Sequence, residues 1–271
     1  MGSSSLNTRI AETVATDLRE RILGGRLADN LLPKQEELIA EFGVSAPSIR
    51  EALRILEAEG LVTIRRGRFG GAEVTQPNAT SAAYALGLAM QGQRVTLDDL
   101  AESLRALEPM SAASCALRKD RMKVLVPLLE ANLSDSEDAL GGPGFTLCAR
   151  RFHHLVVDST LNEATRLIVR SLVAVWSTQE ENWAQIAARE GDYPDVDEQK
   201  AVLRAHRRIA SEIVAGSASK AEELARRHLE ATQNRILLAM YGNRTVDMTS
   251  PAAVGFFRRV TSQTRAHHPE H

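Results

Sequence analysis

Little in this sequence points to a function by bulk composition. Two cysteines in 271 residues, Cys115 and Cys148, are too few for a disulfide framework or a thiolate zinc site. They read as small core residues of a chain kept reduced. Aromatic residues make up only 4% of the chain, so Ala, Leu, Val and Ile must build the core, and a β-rich fold is disfavoured. No apolar run approaches the roughly 18–20 residues of a bilayer span. Residues 1–6 lack the apolar centre of a secretory signal. A cytoplasmic protein without membrane contact is expected. Nor is there a basic coat, since 33 Lys and Arg face 35 Asp and Glu. Any contact with nucleic acid must therefore come from placed side chains.

What is present is a globular composition, 44% hydrophobic and 25% charged, with length enough for two domains. The chain divides near Gln76-Pro77-Asn78-Ala79-Thr80-Ser81. The expected fold is mainly α: an N-terminal winged helix-turn-helix over 8–78 and a C-terminal antiparallel α-helical bundle over 95–241. Helical periodicity in the second block falls in windows near 97–118, 121–138, 145–160, 163–190, 194–216 and 218–241. The polar segment 242–271, broken by Pro251, is expected to be a loosely ordered tail with a single apolar cluster, Val254–Phe257.

In the first block, Ile10, Val14, Leu18 and Ile22 form one helical face. A short helix from Lys34 to Phe42, a turn at Gly43, and a third helix from Ala46 to Glu59 follow in helix-turn-helix order. Ile49, Ala52, Leu53 and Leu56 face the core, with Ser45 as N-cap. The outward set is then Ser48, Arg50, Glu51 and Arg54. Arg50 and Arg54 stand one turn apart, spaced to enter a major groove, where an Arg can hold guanine through two hydrogen bonds. Lys34 and Gln35, at the start of the second helix, join the expected DNA-facing set, with Ser45 at the reading-helix N-terminus. Two short strands flank a glycine-rich turn in which Arg65, Arg66, Gly67 and Arg68 form a wing suited to a phosphate or a narrow groove. The patch is local: residues 46–71 hold five Arg against three Glu.

The run Leu32-Pro33, Glu36-Glu37-Leu38, Phe42-Gly43-Val44-Ser45, Ile49-Arg50-Glu51-Ala52-Leu53 and Leu56 to Val62 resembles the winged helix of GntR-type bacterial transcription regulators. The resemblance implies a dimer on an inverted-repeat DNA operator. Two cations common in that family are replaced here, by Ala46 and Glu36.

Four histidines lie outside the tail, and on spacing alone they read as scattered core or surface residues. Residues 97–236 resemble the all-helical FCD ligand domain of the FadR subfamily, through Leu107-Glu108-Pro109, Phe152-His153, Asn162 and the two later His-bearing helices. The resemblance implies a metal site in which His153, His206 and His228 are ligands, next to a small-molecule effector that these histidines, Arg105 and Asn162 would contact. The family's Asp ligand falls at Ala149, and its effector-binding Arg falls at Leu104. Three histidines with water or an effector carboxylate suffice for Zn or Ni. A metal-free pocket in which the histidines hydrogen-bond the effector stands beside that reading. Both losses point to an effector less polar than a simple hydroxy acid. The expected function is a ligand-responsive dimeric repressor rather than an enzyme. The alternatives are a hydrolytic enzyme working through a three-His metal centre and an architectural DNA protein.

Overall fold

The computed structural model describes residues 2–25, 27, 31–65, 71–75, 77–142, 144–190, 194–233 and 243–263. The chain forms two compact units, divided between Ser81 and Ala82.

The first unit contains α1 (Gly2–Leu23), α2 (Gln35–Phe42), α3 (Ala46–Ala58), β1 (Val62–Arg65) and β2 (Gly71–Val74). Helix α1 buries Ala11, Val14, Ala15, Leu18 and Ile22, the three-and-four spacing of one helical face. It packs along α3, which buries Ile49, Ala52 and Leu56. Between α2 and α3 the chain turns at Gly43, whose φ of 63° is left-handed and therefore costs little only for a residue without Cβ. Arg19 of α1 forks onto both carboxylate oxygens of Glu59, at 2.8 and 2.6 Å, tying α1 to the end of α3. The strands pair antiparallel in the register Val62↔Val74 to Arg65↔Gly71. Leu32 N–H donates to the carbonyl of Ala72 at 3.0 Å, which adds a short third edge to the hairpin.

The second unit is helical: α4 (Ala79–Gly92), α5 (Leu97–Leu107), α6 (Pro109–Leu117), α7 (Arg121–Val124), α8 (Val126–Asp138), α9 (Phe145–Asp158), α10 (Glu163–Glu190), α11 (Val196–Ala215), α12 (Ala218–Gln233) and α13 (Pro251–Gln263). Reciprocal capping starts α5, where Thr96 pairs with Asp99, and α11, where Asp195 pairs with Glu198. Gly216, at φ 74°, ends α11. One apolar core gathers α6, α8, α9, α11 and α12 around Cys115, Leu129, Phe152 and Ile213. A second joins α5 and α10 to α4 and α13 through Leu100, Val173, Met248 and Phe257.

Four features depart from the sequence expectations, one being that the window at 121–138 divides at Leu125 into α7 and α8. The window at 97–118 is two helices, because Pro109 opens α6 at the first position, where its missing N–H costs nothing. Helix α4 precedes the first expected window. The segment expected to be a loose tail carries α13, in which Ala252, Ala253 and Phe257 are buried. Pro251 initiates that helix instead of breaking it, and Ser250 Oγ accepts the Ala253 N–H at 3.3 Å as its cap.

Candidate nucleic-acid interface and metal centre

Helix α3 meets the requirement for a reading helix: one side is buried in the first unit and Arg50 and Arg54 project from the other. Arg54 is held by Glu51 through two hydrogen bonds, at 2.9 and 2.6 Å. That exposed pair holds the Glu51 carboxyl below its usual range. Lys34, Gln35 and Ser45 are exposed as expected. Ser48 is not: it is 1% exposed, and its Oγ lies 2.9 Å from that of Ser45. It lies one turn before the buried Ala52, on the same face, so it supports the N-cap and takes no part in an outward surface. Arg65 is paired across the hairpin with Glu73 at 2.6 Å. Arg66, Gly67 and Arg68 lie outside the described residues.

In the second unit, His153 on α9, His206 on α11 and His228 on α12 converge. Nε2 of His206 lies 2.9 Å from that of His228, and Nε2 of His153 lies 3.3 Å from each. Phe152 stacks on His206, with ring centroids 4.2 Å apart and planes within 7°, while His153 and His228 lie face to face at 5.2 Å. On the far side of its ring, His153 Nδ1 is 2.6 Å from Oε1 of Glu108, which Pro109 places at the elbow between α5 and α6.

Protons cannot satisfy this triangle. Each Nε2 has one in-plane position, either an N–H or a lone pair. Three such atoms in mutual contact make one N–H···N bond and leave the third without a partner. Burial, reinforced by the neighbouring imidazoles, holds His206 far below the ordinary histidine value and pushes His228 down to about 3. Burial also works to lower His153, but the charge and hydrogen bond of Glu108 outweigh it and leave His153 raised. His206 and His228, held neutral, and His153, whose Nδ1 proton faces Glu108 so that Nε2 can serve as donor atom, are the donor set a divalent metal requires. The triangle is also small enough that a point off its plane lies ~2.0–2.1 Å from all three nitrogens, the usual Zn–N distance. The carboxylate on the outer nitrogen of His153 is the orienting group such ligands commonly have. The residues therefore fit a metal.

The centre abuts a cavity of about 360 Å³, within the usual range for small-molecule sites. Glu108, Ala149, His153 and His228 line it, as does the α10 face of Val173, Trp176, Ser177, Glu180 and Trp183. Position 149, which holds Ala here, opens onto this space one turn before His153. Two expected effector residues are placed elsewhere. Asn162 is exposed and its Oδ1 accepts the Thr165 N–H at 2.9 Å, so it caps α10. Arg105 is not among the lining residues; it donates to Gln233 Oε1 at 3.2 Å, and Gln233 does line the cavity. Leu104 is buried in the core. Sequence reasoning missed Glu180 and both tryptophans. Their signal was available, since 176, 180 and 183 share one face of a long helix at i, i+4 and i+7.

Residues 10–70 match the profile of the gntR family of bacterial regulatory proteins, and residues 99–231 match that of the FCD domain. The chain belongs to the GntR family of bacterial regulatory proteins and carries an FCD domain. The HTH-type transcriptional repressor NanR of Klebsiella aerogenes is 39% identical over 72 residues, 26% of this chain and 27% of that protein. An uncharacterized HTH-type transcriptional regulator of Mycobacterium tuberculosis is 26% identical over 233 residues, 84% of this chain and 90% of that protein. A solved Streptococcus agalactiae GntR shares the fold, with a TM-score of 0.64 at 23% identity over 83% of this chain and 99% of its own.

These relatives are transcription regulators and not enzymes, and the hydrolytic reading of the three-His centre finds no support among them. The winged unit is a DNA-binding domain and the FCD unit an effector-binding one. No described helix is long and apolar enough to cross a membrane.

Proposed function

We propose that this regulator is a cytoplasmic, dimeric repressor that leaves an inverted-repeat operator when a small metabolite enters the FCD cavity. A divalent metal, Zn or Ni, held by His153, His206 and His228, forms part of that effector site. The observation that carries this reading is the triangle of three Nε2 atoms at 2.9–3.3 Å opening onto the cavity. Bound there, such an ion supplies a Lewis-acidic anchor for an effector oxygen. The protein's own residues prepare the place. Glu108 fixes the ring of His153, and Phe152 fixes that of His206.

On the DNA side, Arg50 and Arg54 reach base edges or phosphates, and Lys34, Gln35, Ser45 and the wing arginines Arg65, Arg66 and Arg68 around Gly67 hold the backbone. Arg54 exchanges Glu51 for DNA, and Arg65 exchanges Glu73. A two-fold dimer doubles the few base pairs that one reading helix can specify, giving half-sites near multiples of ~10 bp. Selection of bound duplexes from a random library, followed by gel retardation, tests this. An inverted repeat recovered and shifted as a dimer is the expected result. Binding that is indifferent to sequence would contradict it.

A further inference from the structure

Only two tryptophans occur in the whole chain, and both line the FCD cavity. They stand on α10 four residues before and three residues after Glu180, which lines the same wall. Glu180 is 21% exposed, and its nearest cation is Arg150, whose Nε lies 3.8 Å away, beyond hydrogen-bond reach. Arg150 instead donates through Nη1 to the Ser177 carbonyl at 3.0 Å and approaches Glu181 at 3.5 Å. Among the described residues no hydrogen bond reaches the Glu180 carboxylate. Arg150 supplies charge at that distance but no hydrogen bond, and a carboxylate so placed in a largely apolar cavity has room for a ligand that donates one. Burial accordingly pushes the Glu180 carboxyl up, against the opposing pull of Arg150 and His153.

Two groups on the lining of the one cavity therefore ask for opposite charges. Three neutral imidazoles carrying a divalent ion attract an anion. A carboxylate flanked along its helix by two indoles attracts a cation, since indole faces bind ammonium groups best of the aromatic side chains. Resting on the effector-site reading above, we infer that the effector is an amphipathic zwitterion, more polar than the replaced Asp and Arg positions suggested, with its carboxylate at the three-His centre and an ammonium group at Glu180 beside Trp176 and Trp183. Val173, Phe145 and Leu229, which also line the space, offer apolar surface to its hydrocarbon body.

The two tryptophans make their own fluorescence the readout. The full chain, loaded with zinc, is titrated with unbranched α,ω-aminocarboxylates of about three to seven methylenes, a range suited to a cavity of this class. Carboxylates, ω-hydroxycarboxylates and alkylamines of matched length serve as comparisons. The best aminocarboxylate should bind at least about tenfold tighter than its carboxylate and hydroxyl counterparts, the size of one charge-assisted contact in a sheltered site. Glu180→Gln should remove that preference. Trp176→Leu should reduce the preference with Glu180 intact, and it decides the matter if Glu180→Gln fails to fold by circular dichroism. Carboxylates binding as tightly as aminocarboxylates, or a preference that survives Glu180→Gln, would overturn the assignment. Zinc uptake in the same samples separates the two levels. Uptake without ammonium preference removes the zwitterion alone, whereas neither uptake nor carboxylate binding removes the metal-effector site and the zwitterion with it.

Discussion

Oε1 of Glu108 lies 2.6 Å from Nδ1 of His153, so a carboxylate that is itself 6% exposed fixes the tautomer of a ring whose other nitrogen faces two further imidazoles. With Nδ1 donating to Glu108, Nε2 of His153 presents a lone pair. Glu108→Gln keeps the shape but weakens that orientation. Zinc affinity by calorimetry should fall about 10–100-fold, the usual cost of removing such a support, with little change in fold. Unchanged affinity would remove Glu108 from the centre.

The metal-free protein should lose stability in acid. Burial holds His206 far below the ordinary histidine value and pushes His228 to about 3 and His154 to about 4. The unfolded chain takes up these protons near pH 6.5, so the stabilisation is present above that pH and is lost as pH falls toward 3–4. Each such histidine contributes a slope of about 1.4 kcal/mol per pH unit within that window. His153, raised by Glu108 against its burial, works in the opposite sense, favouring the fold below pH 6.5 and losing that contribution as pH rises through its own value. Three groups outweigh one. Urea unfolding of chelator-treated protein, followed by tryptophan fluorescence, should have a lower midpoint at pH 5 than at pH 7. An equal or higher midpoint would show that these rings are not held neutral.

Arg50 and Ser48 sit two residues apart on α3 and should separate cleanly. Arg50 is exposed, and Arg50→Ala should cost about 1–3 kcal/mol of specific DNA binding if it reads a base, with the melting temperature kept. Ser48 is buried against Ser45, and Ser48→Ala should cost about 1 kcal/mol of stability, with sequence preference unaltered. Retardation gels and thermal melts on both variants check the contrast, and the reverse pattern would contradict it.

Phe257 is 6% exposed and its ring centroid is 5.3 Å from that of Tyr84. Phe257→Ala should destabilise the FCD unit by about 3–5 kcal/mol, as for other large aromatic truncations in a core. A loss under about 0.5 kcal/mol, the usual effect of a surface substitution, would mean that α13 is not part of that core.

The fold was legible where spacing repeats over several turns. Ile10, Val14, Leu18 and Ile22 announced α1, and Gly43 before Ser45 marked the reading helix. Helix α4 fell outside the expected windows; within it Gly87 packs where a Cβ would collide with the Met248 side chain. Pro251 was read as a breaker and Pro109 was read through, yet both open helices, because a proline at the first helical position starts a helix as readily as an interior one ends it. The three-His centre lay beyond spacing altogether. His153, His206 and His228 are brought together by three helices, and family resemblance supplied what periodicity could not. Asn162 was mistaken for an effector ligand because capping and ligand binding use the same side-chain oxygen.

The most direct test of the metal centre is zinc titration of chelator-stripped full-length protein, with His206→Ala alongside. His206 lies outside the cavity lining and meets both other rings, so its loss opens the triangle and leaves the DNA-binding unit untouched. One zinc bound per chain, weakening as pH falls through the raised value of His153 because a proton competes for its nitrogen, and abolished in His206→Ala, is the predicted result. No uptake by the stripped native protein, or equal uptake by the variant, would contradict the account.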